Sequence, residues 1–465
     1  MSLSVTSWKY IYFVGIGGIG MSALARWFKA NGFYVAGYDK TSTTLVHTLI
    51  EEGIPVNLED EETAIPRQFM EDPDQTLIVY TPAVPIQHKQ MNYFKQHNYM
   101  ILKRSQVLGL LTRDLRTVGV AGTHGKTTTS SMVAHVLRQA GVNSTAFLGG
   151  ITQNYGTNLL LNERTEHLDE VICVVEADEF DRSFLTLFPE IGIVTSTDAD
   201  HLDIYGKHEA VLESFKEYVS QIDEQGALFM REGLTLASST KAKVFTYSLD
   251  GGDYHATRIR IENARFVFDL VHPQGIIKDI AMRIAGYHNI ENAIAAGAVA
   301  LYLGVSPDPV KDALETYRGV KRRFEYQVER DHSVYVDDYA HHPTEIEAFL
   351  TSIKALYPGR HVTAIFQPHL FTRTRDFADG FSESLSLADR LLLLEIYPAR
   401  ELPIAGVTSA MLLGKVRQDD KRIVQKDAVL DQLKELECDI IVTIGAGDID
   451  TLVMPIKDLL LSSVK

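Results

Sequence analysis

The chain has 465 residues, 45% of them hydrophobic, which at roughly 100–200 residues per domain allows two to four domains with proper cores. A formal net charge of −16 argues against nucleic acid as a main partner, because phosphate-backbone binding needs a basic face; it leaves room for a nucleotide held by backbone N–H groups. Cys173 and Cys438 stand apart in apolar runs with no zinc spacing, no apolar run reaches about 18 residues, and no basic leader is followed by a long apolar stretch, so a soluble cytoplasmic protein is expected.

The first segment alternates strands and helices. Strands are expected over 9–16, 33–39 and 76–84, with helices over 20–32 and 45–53 and a Pro-bracketed turn at Pro82 and Pro85. Between the first strand and helix, YFVGIGGIG places Gly15, Gly17 and Gly20 in a G-x-G-x-x-G turn, with Gly18 inside it. Asp39 lies near where a dinucleotide enzyme puts its ribose-binding acid. The turn alone specifies a diphosphate and leaves open an NAD-dependent oxidoreductase.

A second strand–loop–helix follows in RTVGVAGTHGKTTTSSMVAHV. Val120 breaks the strict P-loop pattern, but Gly122, Thr123, His124, Gly125, Lys126, Thr127 and Thr128 still join a buried strand to a helix. Glycines there turn N–H groups onto phosphates, Lys126 reaches the outer phosphates, and the Thr127 hydroxyl can ligate Mg²⁺. EADEFD ends the next apolar strand, so Glu176 reads as a second Mg²⁺ anchor, whereas Glu179 and Asp181 read as a solvated acidic turn. In DADHLD, His201 is either a metal ligand or a structural hydrogen-bonding group. Residues 225–285, including KVFTYSLDG, alternate with period two and predict an antiparallel patch. In GYHNIENA, Asn289 and Asn292 share a helix face and either read a base edge or cap the helix.

A third parallel α/β unit begins near KRRFEYQ. Arg323 stands at its entry, and strands end in VDDYAHHPTEI and FQPHLFTRT, placing Asp338, Tyr339, His341, His342, His369, Arg373 and Arg375 near strand ends, as one polar site across a parallel sheet would. The paired histidines lack HExxH or a third ligand, which disfavours catalytic zinc.

Together, the glycine turn, AGTHGKTTT, EADE, DADHLD, HNIENA, RRFE, DDYAHHPTEI and FQPHLFTRT resemble, in order and over about residues 10–450, the Mur ligases. The resemblance implies three α/β domains. A Rossmann-like UDP-sugar domain would span 1–106, a P-loop-type ATPase domain 107–319, and a Rossmann-like amino-acid domain 320–465. It also implies ATP-dependent joining of L-alanine to the lactyl carboxylate of UDP-N-acetylmuramate through an acyl phosphate, with Mg²⁺, in a monomer or homodimer.

The implied roles follow residue by residue. Gly15, Gly17, Gly18, Gly20 and Asp39 hold the UDP-sugar. Gly122, Thr123, His124, Gly125, Lys126, Thr127 and Thr128 hold ATP, with Asn289 and Asn292 at the adenine and Arg323 and Asp338 reaching ATP from the third unit. Thr127, Glu176 and His201 hold Mg²⁺; Lys126, Glu176, His201 and Arg323 are catalytic. Tyr339, His341, His369 and Arg373 form the amino-acid pocket, and His342 is scaffold. Ser196, Thr197 and Asp198 depart from common family residues, and Leu370 stands where some members have Arg, so one carboxylate contact is either missing or supplied by Arg373 or Arg375. A ligase of a preformed tripeptide is the nearer alternative, and a non-catalytic nucleotide switch a further one.

Overall fold

The computed structural model describes residues 5–85, 87–113, 115–162, 170–198, 205–399, 401–436 and 438–462. The chain divides into two compact units. The first comprises Met1–His255, Val271–Gly275 and Asn292–Leu314; the second comprises Ala256–Leu270, Ile276–Glu291 and Glu315–Lys465.

The first unit opens with β1 (Tyr10–Val14), β2 (Tyr34–Tyr38), β3 (Val56–Asn57), β4 (Thr76–Tyr80) and β5 (Met100–Lys103). They form a parallel sheet in the order β3-β2-β1-β4-β5. Ile11, Tyr12, Phe13 and Val14 are all buried, as an inner parallel strand covered on both faces requires. The helix Ile19–Ala30 packs Met21, Leu24, Ala25 and Phe28 inward at helical spacing. Because β1 lies between β2 and β4, chain connections diverge there and open a crevice at the strand C-termini, where the glycine turn sits. The stretch after residue 100 is more than a tail: β5 and the helix Arg104–Arg113 complete this lobe.

The second sheet of this unit contains β6 (Arg116–Ala121), β7 (Ser144–Phe147), β8 (Leu159–Leu160), β9 (Ile172–Glu176), β10 (Ile191–Val194), β11 (Ala227–Arg231) and β12 (Lys243–Ser248). Their order is β12-β11-β10-β6-β9-β7-β8. Central β6 pairs in parallel with β10 and β9, with Ala121 opposite Val194 and Val120 opposite Glu176. Three strand ends therefore deliver the phosphate loop, Glu176 and Ser196 to one edge.

KVFTYS corrects the antiparallel expectation. It is β12, parallel to β11. Its alternating burial reflects a strand with one covered face rather than a hairpin. The antiparallel reading holds further on. β13 (Tyr254–Glu262) and β14 (Arg265–His272) are joined by Asn263 and Ala264, both at positive φ (50° and 55°), a two-residue type I′ turn; β15 (Gly275–Met282) is the next neighbour.

The second unit carries β16 (Glu325–Arg330), β17 (Ser333–Asp338), β18 (Val362–Phe366), β19 (Arg390–Leu393), β20 (Lys421–Ile423) and β21 (Ile440–Ile444). Their order is β16-β17-β21-β18-β19-β20; all are parallel except β16, which runs against β17. β18 is buried along its whole length. β17 and β18 flank β21, so the loops that follow them, bearing His341 and His369, emerge on either side of one strand.

Candidate active site

At the glycine turn, Gly15 takes φ +88°, and its N–H and that of Ile16 both donate to Tyr38 O. A Cβ on Gly17 would lie 2.6 Å from Val46 Cγ2 and 2.9 Å from Asp39 Oδ2. Asp39 is turned onto the loop itself: its Oδ2 accepts from Gly17 N at 2.7 Å and its Oδ1 from Thr41 N at 3.0 Å. It braces the turn rather than projecting from it. Gly18 is the N-cap of the following helix and supplies no side-chain cap, leaving first-turn N–H groups available to an anion.

The phosphate loop is held from the adjacent strand end. Ser196 O accepts from Thr123 N (3.2 Å), Ser196 Oγ accepts from His124 N (2.9 Å), and Ser196 Oγ meets Thr123 Oγ1 at 2.8 Å. Ser196, the departure from the family pattern, is thus a brace on the loop. Gly122 (φ +138°) leaves no room for a Cβ, which would fall 2.0 Å from Thr195 Oγ1. His124 Nε2 lies 3.6 Å from Asp198 Oδ2. The helix Lys126–Gln139 starts on Gly125 in the left-handed conformation, φ +81°.

Lys126 Nζ donates to Gly122 O (2.7 Å) and pairs with Glu179 at 2.9 and 2.7 Å. Glu179 is 1% exposed, which corrects its reading as a solvated acid. Burial alone would lower the lysine pKa, but Glu179, Asp178 and Glu176 outweigh it and raise it, so Lys126 is firmly cationic.

Thr127 Oγ1 donates to Glu176 Oε1 at 3.1 Å, and Gly149 N donates to Glu176 Oε2 at 3.1 Å. Two oxygen ligands in adjacent positions of an octahedral ion with bonds of about 2.0–2.1 Å stand about 3 Å apart, so this pair fits Mg²⁺. Among the described residues no three His, Cys, Asp or Glu side chains gather as a metal cluster. Phosphate oxygens and water would supply the remaining ligands. His201 lies outside the described residues.

The two helix asparagines part company. Asn292 Oδ1 accepts from Thr129 Oγ1 at 3.0 Å, and a Cβ on Gly125 would stand 2.9 Å from it, so Asn292 supports the phosphate-loop helix. Asn289 Nδ2 donates to Ala285 O at 2.6 Å.

In the second unit, Asp338 Oδ2 accepts from Phe324 N and Oδ1 from Ala340 N, each at 2.7 Å. Burial pushes its pKa up to about 6, against the lowering by Arg323 and these two donors. It fastens the 322–324 segment to the end of β17. Arg322, whose importance the sequence did not reveal, completes that clasp at φ +60°, donating to Asp337 Oδ2 (3.1 Å) and Gly445 O (2.6 Å). Arg323 lies over the Tyr339 ring, 5.1 Å from its centroid, with Nη1 3.9 Å from Glu345.

Tyr339, His341, His369 and Arg373 do come together. The Tyr339 and His341 rings are 5.4 Å apart, those of His341 and His369 6.4 Å, and Arg373 Nη1 is 3.4 Å from His369 Nδ1. Tyr397 stacks on His369 at 5.8 Å, and its carbonyl accepts from Leu370 N. Arg375 pairs with exposed Asp376, so of the two arginines considered, Arg373 faces the cluster. His342 is the N-cap of the helix Pro343–Leu356, as scaffold should be. Glu345, three residues beyond that cap, carried no signal in the sequence; it accepts from His341 N at 3.0 Å.

Comparison with known proteins gives three matches along the chain: residues 10–116 to the Mur ligase family, catalytic domain; 120–300 to the Mur ligase middle domain; and 322–447 to the Mur ligase, glutamate ligase domain. UDP-N-acetylmuramate–L-alanine ligases of Phocaeicola vulgatus and Flavobacterium johnsoniae are each 49% identical, the first over 98% of this chain and 99% of the relative, the second over 97% of each. The crystal structure of UDP-N-acetylmuramate–alanine ligase from Thermotoga maritima superposes with a TM-score of 0.79 at 26% identity, covering 98% of this chain and all of that one.

Proposed function

The chain belongs to the Mur ligase family, and on that premise we propose that it joins L-alanine to the lactyl carboxylate of UDP-N-acetylmuramate, consuming ATP. The observation that carries this reading is near-full-length identity of 49% to ligases of that name, combined with two separate phosphate-type turns in the first unit. An NAD enzyme would leave the second turn and Lys126 without work.

The chemistry explains the parts. An amine does not displace O⁻ from a carboxylate. Transfer of the γ-phosphoryl group gives an acyl phosphate, whose phosphate leaves when the amine attacks. Lys126 neutralises the outer phosphates while the first turn of its helix receives them. Mg²⁺, held by Thr127 and Glu176, would screen charge between the two anions. The turn at Gly15–Gly20 takes the UDP diphosphate, with Asp39 fixing its shape. Arg373 takes the amino acid's carboxylate, beside the His369 ring. Domain bounds of 1–106, 107–319 and 320–465 and placement in the cytoplasm belong to the same reading; among the described residues no helix is long and apolar enough to cross a membrane.

Phosphate release from ATP and Mg²⁺ with UDP-N-acetylmuramate tests this directly. Release should require L-alanine and respond far less to a preformed tripeptide. Equal or better release with the tripeptide would reassign the chain to peptide recycling.

A further inference from the structure

L-alanine enters its pocket as an ammonium, which has no lone pair with which to attack. Something must take one proton before the C–N bond forms. The second unit holds a group arranged for that task.

His341 Nδ1 lies 3.0 Å from Tyr339 O. A carbonyl oxygen only accepts, so Nδ1 carries the hydrogen and the lone pair of the neutral ring is on Nε2. Nε2 has no hydrogen-bond partner among the described residues, and the side chain keeps 19% exposure. Glu345 Oε2 stands 3.4 Å from the same Nδ1 and accepts from His341 N. It is placed to stabilise an imidazolium once one forms, the orienting role that a carboxylate plays behind a basic histidine. The ring lies beside those of Tyr339 and His369, and Arg373 meets His369 from beyond it, the groups proposed above for the amino-acid pocket.

Resting on the alanine-ligase reading, we infer that His341 Nε2 is the proton acceptor for the ammonium of the incoming amino acid, with Glu345 as its positioning residue. The ammonium gives one proton to Nε2. The freed amine attacks the acyl carbon, the C–O bond to phosphate breaks, and the second nitrogen proton leaves with the phosphate as HPO₄²⁻. The imidazolium then returns its proton to solvent, and charge balances at each step.

The charged surroundings suit a base that works only with substrate present. Burial, together with Arg373 and Arg323, pushes the ring pKa down to about 4, opposed by Glu345, so the free ring is neutral and its lone pair available. His369 and Tyr339 are the other titratable groups facing it. A substrate carboxylate on Arg373 cancels one of the depressing charges and raises the basicity of Nε2 when the ammonium arrives.

Hydroxylamine provides the test, because it is a neutral nucleophile at pH 7 and traps acyl phosphate as a hydroxamate without needing a base. His341→Gln should lower L-alanine turnover about 100-fold or more at pH 7.5, while hydroxamate formation stays within about threefold of wild type. The alanine rate of the variant should climb tenfold per pH unit toward alkaline pH, as free amine accumulates. Glu345→Gln should show the same pattern with a smaller loss. The inference is overturned if His341→Gln keeps alanine turnover, loses both reactions in the same proportion, or shows the wild-type pH profile. Failure of wild type itself to form hydroxamate from UDP-N-acetylmuramate and ATP would instead sink the ligase reading beneath it.

Discussion

Lys126 and Glu179 form a buried pair at the entrance to the phosphate loop, with the lysine 13% and the glutamate 1% exposed. In the proposed ATP site the lysine serves phosphate, and its loss would also break a buried ion pair, which typically costs about 3–5 kcal/mol. Lys126→Met should therefore abolish phosphate release and lower the melting temperature, whereas Lys126→Met with Glu179→Leu should regain most of the stability and none of the activity. Measured melting curves and turnover separate the two effects; a double variant as unstable as the single would contradict the pairing. In the proposed amino-acid pocket, Arg373→Ala should raise KM for L-alanine at least about tenfold, the scale of a lost charged hydrogen bond, with KM for ATP little changed. Equal effects on both would remove Arg373 from the pocket. Ionic partners such as Glu179 are hard to read from sequence. EADEFD looks like a solvated turn until the fold brings a lysine from 53 positions earlier against it.

Elements with a strong local signature were legible, and their turns with them. An apolar strand, glycines and a helix mark both phosphate-type loops, because each feature is a local demand of the backbone. Gly17→Ala puts a methyl against Val46 and Asp39 and should weaken UDP-sugar binding by at least about tenfold while ATP binding is unchanged; titration of each ligand checks it. What the sequence hid were short or ambiguous elements. β3 has two residues, and β12 alternates like an antiparallel strand although it lies in a parallel sheet. Asp39, expected at the UDP-sugar, also accepts from Gly17 N, a hydrogen bond whose partner lies 22 residues away. Within the helix Lys126–Gln139, His135 is buried, bonded to Tyr155 Oη at 2.8 Å, and burial pushes its pKa down to about 4 from 6.5, against a backbone bond at Ala313. A depressed histidine favours the neutral folded state, so its contribution is complete above pH 6.5 and is lost as pH falls toward 4. Relative to His135→Gln, wild type should lose on the order of 3 kcal/mol across that window by denaturant titration. A pH-independent difference would contradict the burial of a neutral imidazole.

As a whole molecule, one chain of the Mur ligase family couples ATP cleavage to a single C–N bond on a UDP-sugar. Each compact unit carries part of the equipment. The first has two loops shaped for phosphates, and the second a cluster of arginine, histidine and tyrosine at parallel strand ends. The fold class followed from the alternation of apolar strands and amphipathic helices, and the family from motif order. The clasp of Arg322, Asp337 and Asp338 did not, because it depends on a left-handed residue and on strands that meet only in the folded sheet. The most direct test is mass analysis of the nucleotide-sugar after incubation with ATP, Mg²⁺, UDP-N-acetylmuramate and L-alanine. The product should be heavier by one alanine residue, with one ADP and one phosphate formed per product. An unchanged nucleotide-sugar, or ATP cleaved without product, would contradict it.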